Sequence, residues 1–170
     1  AGQAAAASYT NMFVFGDSLS DTGNVYGLTA SIAPAPPYAG GRFSNGPVYV
    51  DYMASRLGLP LDNAASGGTN YAFGGAATDF GALTFLGQSP LSVESQVDLF
   101  RAQHVFSGAD PDALYILFAG GNNLQRGIDA AAANPADAAD IRQSIVNNAV
   151  SDIMGMVGSL HQTGARQFLV

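Results

Sequence analysis

The chain has 170 residues, of which 48% are hydrophobic and 11% charged, and its formal net charge is −7. This composition is typical of one globular domain and excludes a disordered chain. With only six basic residues, no cationic surface could neutralise phosphate, which argues against nucleic acid as a partner. No apolar run reaches the ~18 residues of a transmembrane helix. The absence of cysteine excludes a disulfide framework, a cysteine zinc site and a thiol nucleophile.

The first residues, AGQAAAAS, lack an initiator methionine and the basic and apolar regions of a signal peptide. Small residues of this kind surround the cleavage sites of signal peptidases. The start therefore predicts a secreted or periplasmic protein, although an artificial boundary would produce the same pattern.

Short β-rich runs alternate with helical patterns, which is typical of βαβ units and a parallel sheet. The predicted elements of the first part of the chain are a strand at about 10–15, a loop rich in proline and glycine at 31–46, a helix near 47–58, a strand at about 69–73 and a helix near 90–104. Ser89 could cap the second of these helices, and Pro90 suits its first position.

A third strand is predicted at about 112–119, followed by the best-marked helix of the sequence. Asn134 can cap that helix, and Pro135 fits its first turn. Apolar residues repeat every four positions along one face, namely Ile141, Ile145, Ala149, Ile153 and Val157. Gly164 ends the helix, and residues 166–170 begin a fourth strand.

The pattern predicts an α/β fold of three layers, α/β/α, around a parallel sheet. Parallel strands are normally buried on both faces, yet no helical pattern follows the fourth strand. We therefore expect residues 1–170 to form part of a single domain whose remainder lies beyond Val170.

Small and polar residues follow each of the first three predicted strands, as Gly16-Asp17-Ser18, Gly74-Gly75-Ala76 and Gly120-Gly121-Asn122-Asn123. Right-handed crossovers bring the carboxyl ends of parallel strands to one edge of the sheet, where ligands bind. The sequence therefore predicts that these three loops meet.

The chemistry of these loops suits acyl transfer. We expect Ser18 to begin a helix, whose N–H groups would surround its oxygen. A glycine N–H and an asparagine amide could then stabilise an oxyanion. Each motif also has a purely structural interpretation, with Ser18 as a helix cap, Gly74-Gly75 as a tight turn and Asn122 as a turn residue.

Three segments resemble the motifs of the GDSL esterases and lipases of the SGNH hydrolase superfamily. FGDSLSDTGN is similar to the first motif, NYAFGGA to the second and AGGNN to the third, and GRFSNG matches the larger bacterial and plant-type members. The resemblance implies a flavodoxin-like fold, Ser18 as nucleophile, and an oxyanion hole formed by the N–H groups of Ser18 and Gly75 and the side chain of Asn122. It implies no cofactor or metal. Position 123 is Asn where the family more often has Asp, and we expect this residue to support the loop.

The family's fourth motif, Asp-x-x-His, which carries the general base, is not found in the sequence. Arg101 and Gly158 stand three residues before His104 and His161, respectively. Both histidines should lie near the ends of helices that run away from the site, so we expect them to be surface residues. Asp17 cannot substitute, because a carboxylate adjacent to the serine cannot hold an imidazole behind it.

We therefore expect a serine ester hydrolase that acts on a small-molecule ester and takes its histidine from a companion polypeptide or a missing C-terminal segment. Residues 1–170 alone should turn over esters very poorly. An acyltransferase of the same family and a non-catalytic, flavodoxin-like anion-binding module are the alternatives.

Overall fold

A computed structural model describes residues 8–79 and 91–170. The strands are β1 (Met12–Gly16), β2 (Leu114–Phe118) and β3 (Gln167–Leu169), and the helices are α1 (Asn24–Leu28), α2 (Tyr49–Leu57), α3 (Val93–Gln103), α4 (Gly121–Ala133) and α5 (Ala138–Thr163). Short 3₁₀ turns lie at Ala64–Ser66 and Pro135–Asp137.

The described strands form a parallel sheet in the order β1-β2-β3. Val14 is in register with Ile116, and Ile116 with Leu169. The α/β fold with a parallel sheet and the strand near 166–170 are thereby confirmed.

The predicted strand at 69–73 runs beside β1 but forms no regular ladder. Tyr71 N donates to Val14 O (2.8 Å) and Phe73 N to Gly16 O (3.1 Å), whereas Gly16 N donates to the side-chain oxygen of Gln96 (2.9 Å). In a regular parallel ladder that N–H would bond to the backbone of the neighbouring strand. A glutamine from α3 therefore interrupts the pairing, which is why the prediction of a full strand was wrong.

The sheet separates two apolar cores, since alternate side chains of a strand point to opposite faces. Phe13 and Phe15 face α3 and α5, and Met12 and Val14 face α2. The main buried side chains of the first core are Phe13, Phe15, Val97, Phe100, Tyr115, Leu117, Met156 and Leu160. Those of the second are Met12, Val14, Val50, Ala54, Leu114 and Ile116. The layers are therefore helix, sheet and helix.

Several helix ends differ from the predictions. Ser92 caps α3 by accepting a hydrogen bond from Ser95 N (3.2 Å), and the predicted cap Ser89 and Pro90 lie outside the described residues. Asn134 does not cap α5. Its side chain donates instead to Ala130 O (3.0 Å) at the end of α4, and the 3₁₀ turn at Pro135–Asp137 separates the two helices.

The long helix α5 otherwise agrees with its sequence pattern. It ends at Gly164, whose φ of 129° favours glycine. The predicted apolar face packs inward, with Ala149 buried and Ile153 and Val157 against the first core. Met156 and Leu160 add to that face.

Candidate active site

Ser18 lies in a tight turn directly after β1. Glycine is required at position 16, because a Cβ there would lie 2.5 Å from Phe118 O on the neighbouring strand. Ser20 N and Asp21 N both donate to Asp17 O (3.0 Å each), which closes the turn. The prediction that Ser18 begins a helix was wrong, since α1 begins only at Asn24.

Ser18 is half-buried. Neither its hydroxyl nor its backbone N–H makes a hydrogen bond within residues 8–79 and 91–170. Its neighbours are bonded, since Ser20 Oγ lies 3.1 Å from the hydroxyl of Tyr49. The turn therefore presents one hydroxyl that structural bonding does not occupy.

Asp17 supports the turn rather than the chemistry of the serine. Its Oδ1 accepts a hydrogen bond from Leu19 N (3.0 Å), as expected for a carboxylate at a chain reversal. Burial raises the pKa of this carboxyl group, although the backbone N–H bonds lower it. The raised pKa means that folding disfavours the charged form of Asp17.

Asp21 joins the first loop to the second, a role that our sequence interpretation missed. Its carboxylate is fully buried and accepts hydrogen bonds from the N–H groups of Gly23, Asn24 and Val25 at the start of α1, and from Gly74 N (2.8 Å). Burial raises its pKa despite these four donors. The sequence held a partial signal, because aspartate often accepts hydrogen bonds from backbone N–H groups a few residues further along the chain.

Gly74 and Gly75 form the second loop. Ala76 N donates to Phe73 O (3.1 Å) across this turn, and Gly75 has a φ of 81°, as the third residue of a type II turn requires. A Cβ on Gly74 would lie 2.1 Å from Cε2 of Phe43, which belongs to the GRFSNG segment. Within the described part of the chain, Gly75 N donates no hydrogen bond.

Asn122 and Asn123 lie in the first turn of α4, where the sequence indicated only a loop. Helix propensity is low for Gly and Asn, so the helix start is not evident from the sequence and depends on contacts with other segments. Asn122 Nδ2 donates to Ala76 O (2.7 Å). Asn123 is buried and bonds to Thr78 through both atoms of its amide, so it supports the loop as predicted.

The three loops therefore meet at the carboxyl end of the sheet. Asp21 connects the first loop to Gly74, and Asn122 connects the third to Ala76. The first and third are also adjacent, since a Cβ on Gly121 would lie 3.7 Å from Asp17 Oδ2. The positive end of a helix dipole is thus contributed by α4 and not, as we had expected, by a helix beginning at Ser18.

Buried amides underlie this region, and the sequence interpretation missed them as well. Gln96 bonds to both the N–H and the carbonyl of Gly16 (2.9 Å each). Asn70 Nδ2 donates to Ser20 O (2.9 Å), and Asn24 Nδ2 donates to Asn70 O and Ala72 O. The backbone on both sides of Ser18 is therefore fixed by side chains from distant parts of the chain.

The two histidines lie at the opposite end of the sheet. His104 Nδ1 is 2.8 Å from Phe100 O, and its ring packs against Phe100 and against Phe13 near the start of β1. His161 is exposed in the last turn of α5, close to the start of β3. Both histidines therefore lie away from Ser18, as predicted. His161 is a surface residue as expected, whereas the ring of His104 is half-buried by its aromatic contacts.

Two further observations concern the described residues as a whole. Within the described residues, no cluster of His, Asp or Glu side chains could hold a metal ion. The helices of the same residues include none with the length and apolar character needed to cross a bilayer.

Comparison with known proteins reveals similar chains with several activities in their names. Lipase 1 of Photorhabdus luminescens is 35% identical over 96% of this chain and 22% of its own length. The phosphatidylcholine-sterol acyltransferase of Aeromonas hydrophila is 32% identical over 68% of this chain and 33% of its own. A protein of Arabidopsis thaliana called an inactive GDSL esterase/lipase-like protein is 28% identical, over 92% and 40%, respectively.

The chain thus spans between about a fifth and two fifths of the length of these relatives. A family model for GDSL-like lipases and acylhydrolases matches residues 12–170, which include all three loops at the carboxyl end of the sheet. The chain therefore belongs to the GDSL-like lipase/acylhydrolase family, as its motifs had indicated.

Proposed function

We propose that residues 1–170 carry the nucleophile and the oxyanion hole of a carboxylic ester hydrolase. The observation that supports this most directly is the meeting of three loops around a serine hydroxyl without a structural partner. Ser18 Oγ would attack the ester carbonyl, the alcohol would leave with a proton, and water would hydrolyse the acyl-enzyme.

The oxyanion hole would consist of the N–H groups of Ser18 and Gly75 and the side-chain amide of Asn122. Both backbone N–H groups lack an acceptor in the part of the chain that the structure describes. An asparagine amide has two N–H donors, and Asn122 uses one of them for Ala76 O. The second could therefore face the oxyanion, where each donor contributes ~10²–10³ in rate.

We propose that the general base is a histidine of an Asp-x-x-His segment outside residues 1–170, in a longer chain or a companion polypeptide. Both histidines of the sequence lie at the other end of the sheet, and the relatives are longer than this chain. Residues 1–170 alone should then retain only the ~10³–10⁴ acceleration over water that binding and an oxyanion hole supply. We use "full-length protein" below for the polypeptide that includes this segment.

Acyl transfer to an alcohol is the second candidate function, because one relative is named an acyltransferase and water and alcohols can compete for the same acyl-enzyme. The substrate would be a small-molecule ester in either case, and we propose a secreted or periplasmic location. A non-catalytic anion-binding module is the remaining alternative, since one relative is called inactive.

Active-site labelling tests the proposal. A serine-directed organophosphonate should label Ser18 in the full-length protein, and Ser18→Ala should abolish labelling while Ser66→Ala, a change at an exposed serine, should not. A protein that stays unlabelled would contradict the hydrolase assignment. It would favour the anion-binding module, and phosphate should then stabilise the protein against unfolding. Residues 1–170 that hydrolyse an activated ester as fast as the full-length protein would contradict an external base.

A further inference from the structure

The segment after Gly75 is held by three helices. Ala77 O and Thr78 O accept hydrogen bonds from Val93 N (2.9 Å) and Glu94 N (3.1 Å) at the start of α3. Ala76 O accepts one from the side chain of Asn122 in α4. Thr78 is fully buried, and its hydroxyl bonds to Asp152 in α5. This short segment is therefore a junction between the second loop and three other elements.

The connection to α5 is a chain of hydrogen bonds that we call the Thr78 cluster, formed by Thr78, Asn123 and Asp152. Thr78 N donates to Asn123 Oδ1 (3.0 Å), Asn123 Nδ2 donates to Thr78 Oγ1 (2.8 Å), and Thr78 Oγ1 donates to Asp152 Oδ2 (2.6 Å). The side chain of Asp152 makes no other polar contact among the described residues.

The direction of each bond in the Thr78 cluster is determined by chemistry. A backbone N–H can only donate, so Asn123 must present its oxygen to Thr78 N and its nitrogen to Thr78 Oγ1. The hydroxyl has one proton, and the amide nitrogen cannot accept it. That proton therefore goes to Asp152, whose carboxylate is an acceptor only.

We propose that Asn123 and Asp152 are positioning residues that act through Thr78 on the oxyanion hole. Thr78 lies in the junction that follows Gly75, and Asn123 is adjacent to Asn122, so the cluster ties both of these proposed oxyanion donors to α5. This inference rests on the function proposed above and adds to it a residue of α5, remote in sequence from the three loops.

The cluster also explains why position 123 has a neutral amide. An aspartate there would place two carboxylates beside one hydroxyl that has a single proton. One carboxylate would then lack a donor next to a second negative charge, and buried charges without partners are unfavourable. With aspartate at position 123 and asparagine at position 152, the hydroxyl of Thr78 would donate to the carboxylate and accept from the amide nitrogen. It would again have one acceptor and one donor.

The exchange can be tested in the full-length protein with an activated ester as substrate. We expect Asn123→Asp to lower kcat by up to about 10²-fold, the effect of a small misplacement of catalytic groups, with little change in KM. Adding Asp152→Asn should restore most of that loss. Asp152→Asn alone keeps an oxygen acceptor for Thr78 and should lower kcat less than Asp152→Ala, which removes that acceptor.

Matched controls make the same chemical changes at exposed positions. Asn147→Asp on α5, which keeps an oxygen acceptor for Gln143, and Asp112→Asn before β2 involve exposed residues and should change neither kcat nor the melting temperature. Full activity of Asn123→Asp, or a double variant no more active than Asn123→Asp, would overturn the proposal. If Asn123→Asp does not fold, recovery of folding in the double variant supports the proposal, and failure of both variants to fold overturns it.

The test separates failure of the cluster from failure of the proposed function. If the unaltered full-length protein neither hydrolyses the ester nor reacts with the phosphonate, the hydrolase assignment is wrong, and with it the role in an oxyanion hole. If the unaltered protein is active but the exchange restores nothing, only the role of Asn123 and Asp152 is wrong.

Discussion

The two ends of the sheet differ in what their polar side chains bond to. At the carboxyl end, Asp21 bonds to Gly74 and Asn122 to Ala76, so each side chain joins segments that are about fifty residues apart. At the amino end, His104 bonds to Phe100 of its own helix, and Arg166 to the nearby His161 O. Most of the buried long-range bonds between side chains and backbone thus lie near Ser18, whereas the histidines bond locally. The amino end has fewer long-range bonds, such as the exposed one from Thr10 Oγ1 to Asp110 Oδ2 (2.7 Å).

The direction of the chain accounts for this difference. Each helix that follows a parallel strand begins at the carboxyl end of the sheet and runs back towards the amino end. Helix starts, with their free N–H groups, therefore lie near the site, as α4 does. Helix ends lie away from it, as the ends of α3 and α5 do. The connectivity decides which polar residues can take part in the chemistry.

The largest expected effect is that of removing the nucleophile. We expect Ser18→Ala in the full-length protein to lower kcat by about 10⁶-fold, as loss of a nucleophilic serine does in other hydrolases. The melting temperature should not fall, because the hydroxyl makes no hydrogen bond among the described residues. Steady-state kinetics and thermal unfolding measure both, with Ser66→Ala as control. Retained activity would place the nucleophile elsewhere.

A smaller effect is expected at the third loop. Asn122→Ala should lower kcat by about 10²–10³-fold, the effect of losing one oxyanion donor, while KM changes little. The control is Gln125→Ala, which removes an exposed amide from the same helix. A rise in KM with unchanged kcat would mean that Asn122 binds the substrate rather than the transition state.

The sequence predicted the loops of the site better than the contacts that hold them. Strand ends followed by Gly, Ser and Asn were sufficient to predict that Ser18, Gly75 and Asn122 lie at one edge, because topology determines which ends meet. Gln96 could not be identified in this way, since its role depends on α3 packing close enough to reach Gly16. Helix α4 was missed for a related reason, because its first turn is held by contacts with Ala76 and Thr78.

A third prediction concerns how Asp17, at the carboxyl end of the sheet, affects the stability of the protein. Burial raises the pKa of Asp17 in the folded state above the value of 3.8 for an exposed group, so the folded state binds the proton more tightly than the unfolded state. The free-energy cost of the charged form is then present at neutral pH and decreases as the pH falls through the folded-state pKa. Asp17→Asn retains an oxygen acceptor for Leu19 N and avoids this cost.

We therefore expect Asp17→Asn to raise the melting temperature of the full-length protein near pH 7 by a few degrees, since 1 kcal/mol corresponds to about 2–4 °C in a domain of this size. The difference from the unaltered protein should shrink as the pH is lowered towards 4. Unfolding scans at several pH values measure it, with the exposed Asp112→Asn as control. A melting temperature that falls at neutral pH would show that the charge of Asp17 stabilises the turn.

The smallest effect is expected at the amino end. His104→Gln and His161→Gln should each leave kcat/KM nearly unchanged, because both rings lie at the other end of the sheet from Ser18. The melting temperature should fall only for His104→Gln, because its ring stacks on Phe100 at 4.1 Å, whereas His161 is exposed. Steady-state kinetics of both variants in the full-length protein measure kcat/KM, and thermal unfolding measures the melting temperatures. A fall in kcat/KM of several orders of magnitude in either variant would identify that histidine as the general base. The conclusion that residues at the amino end of the sheet take no part in the chemistry would then be wrong.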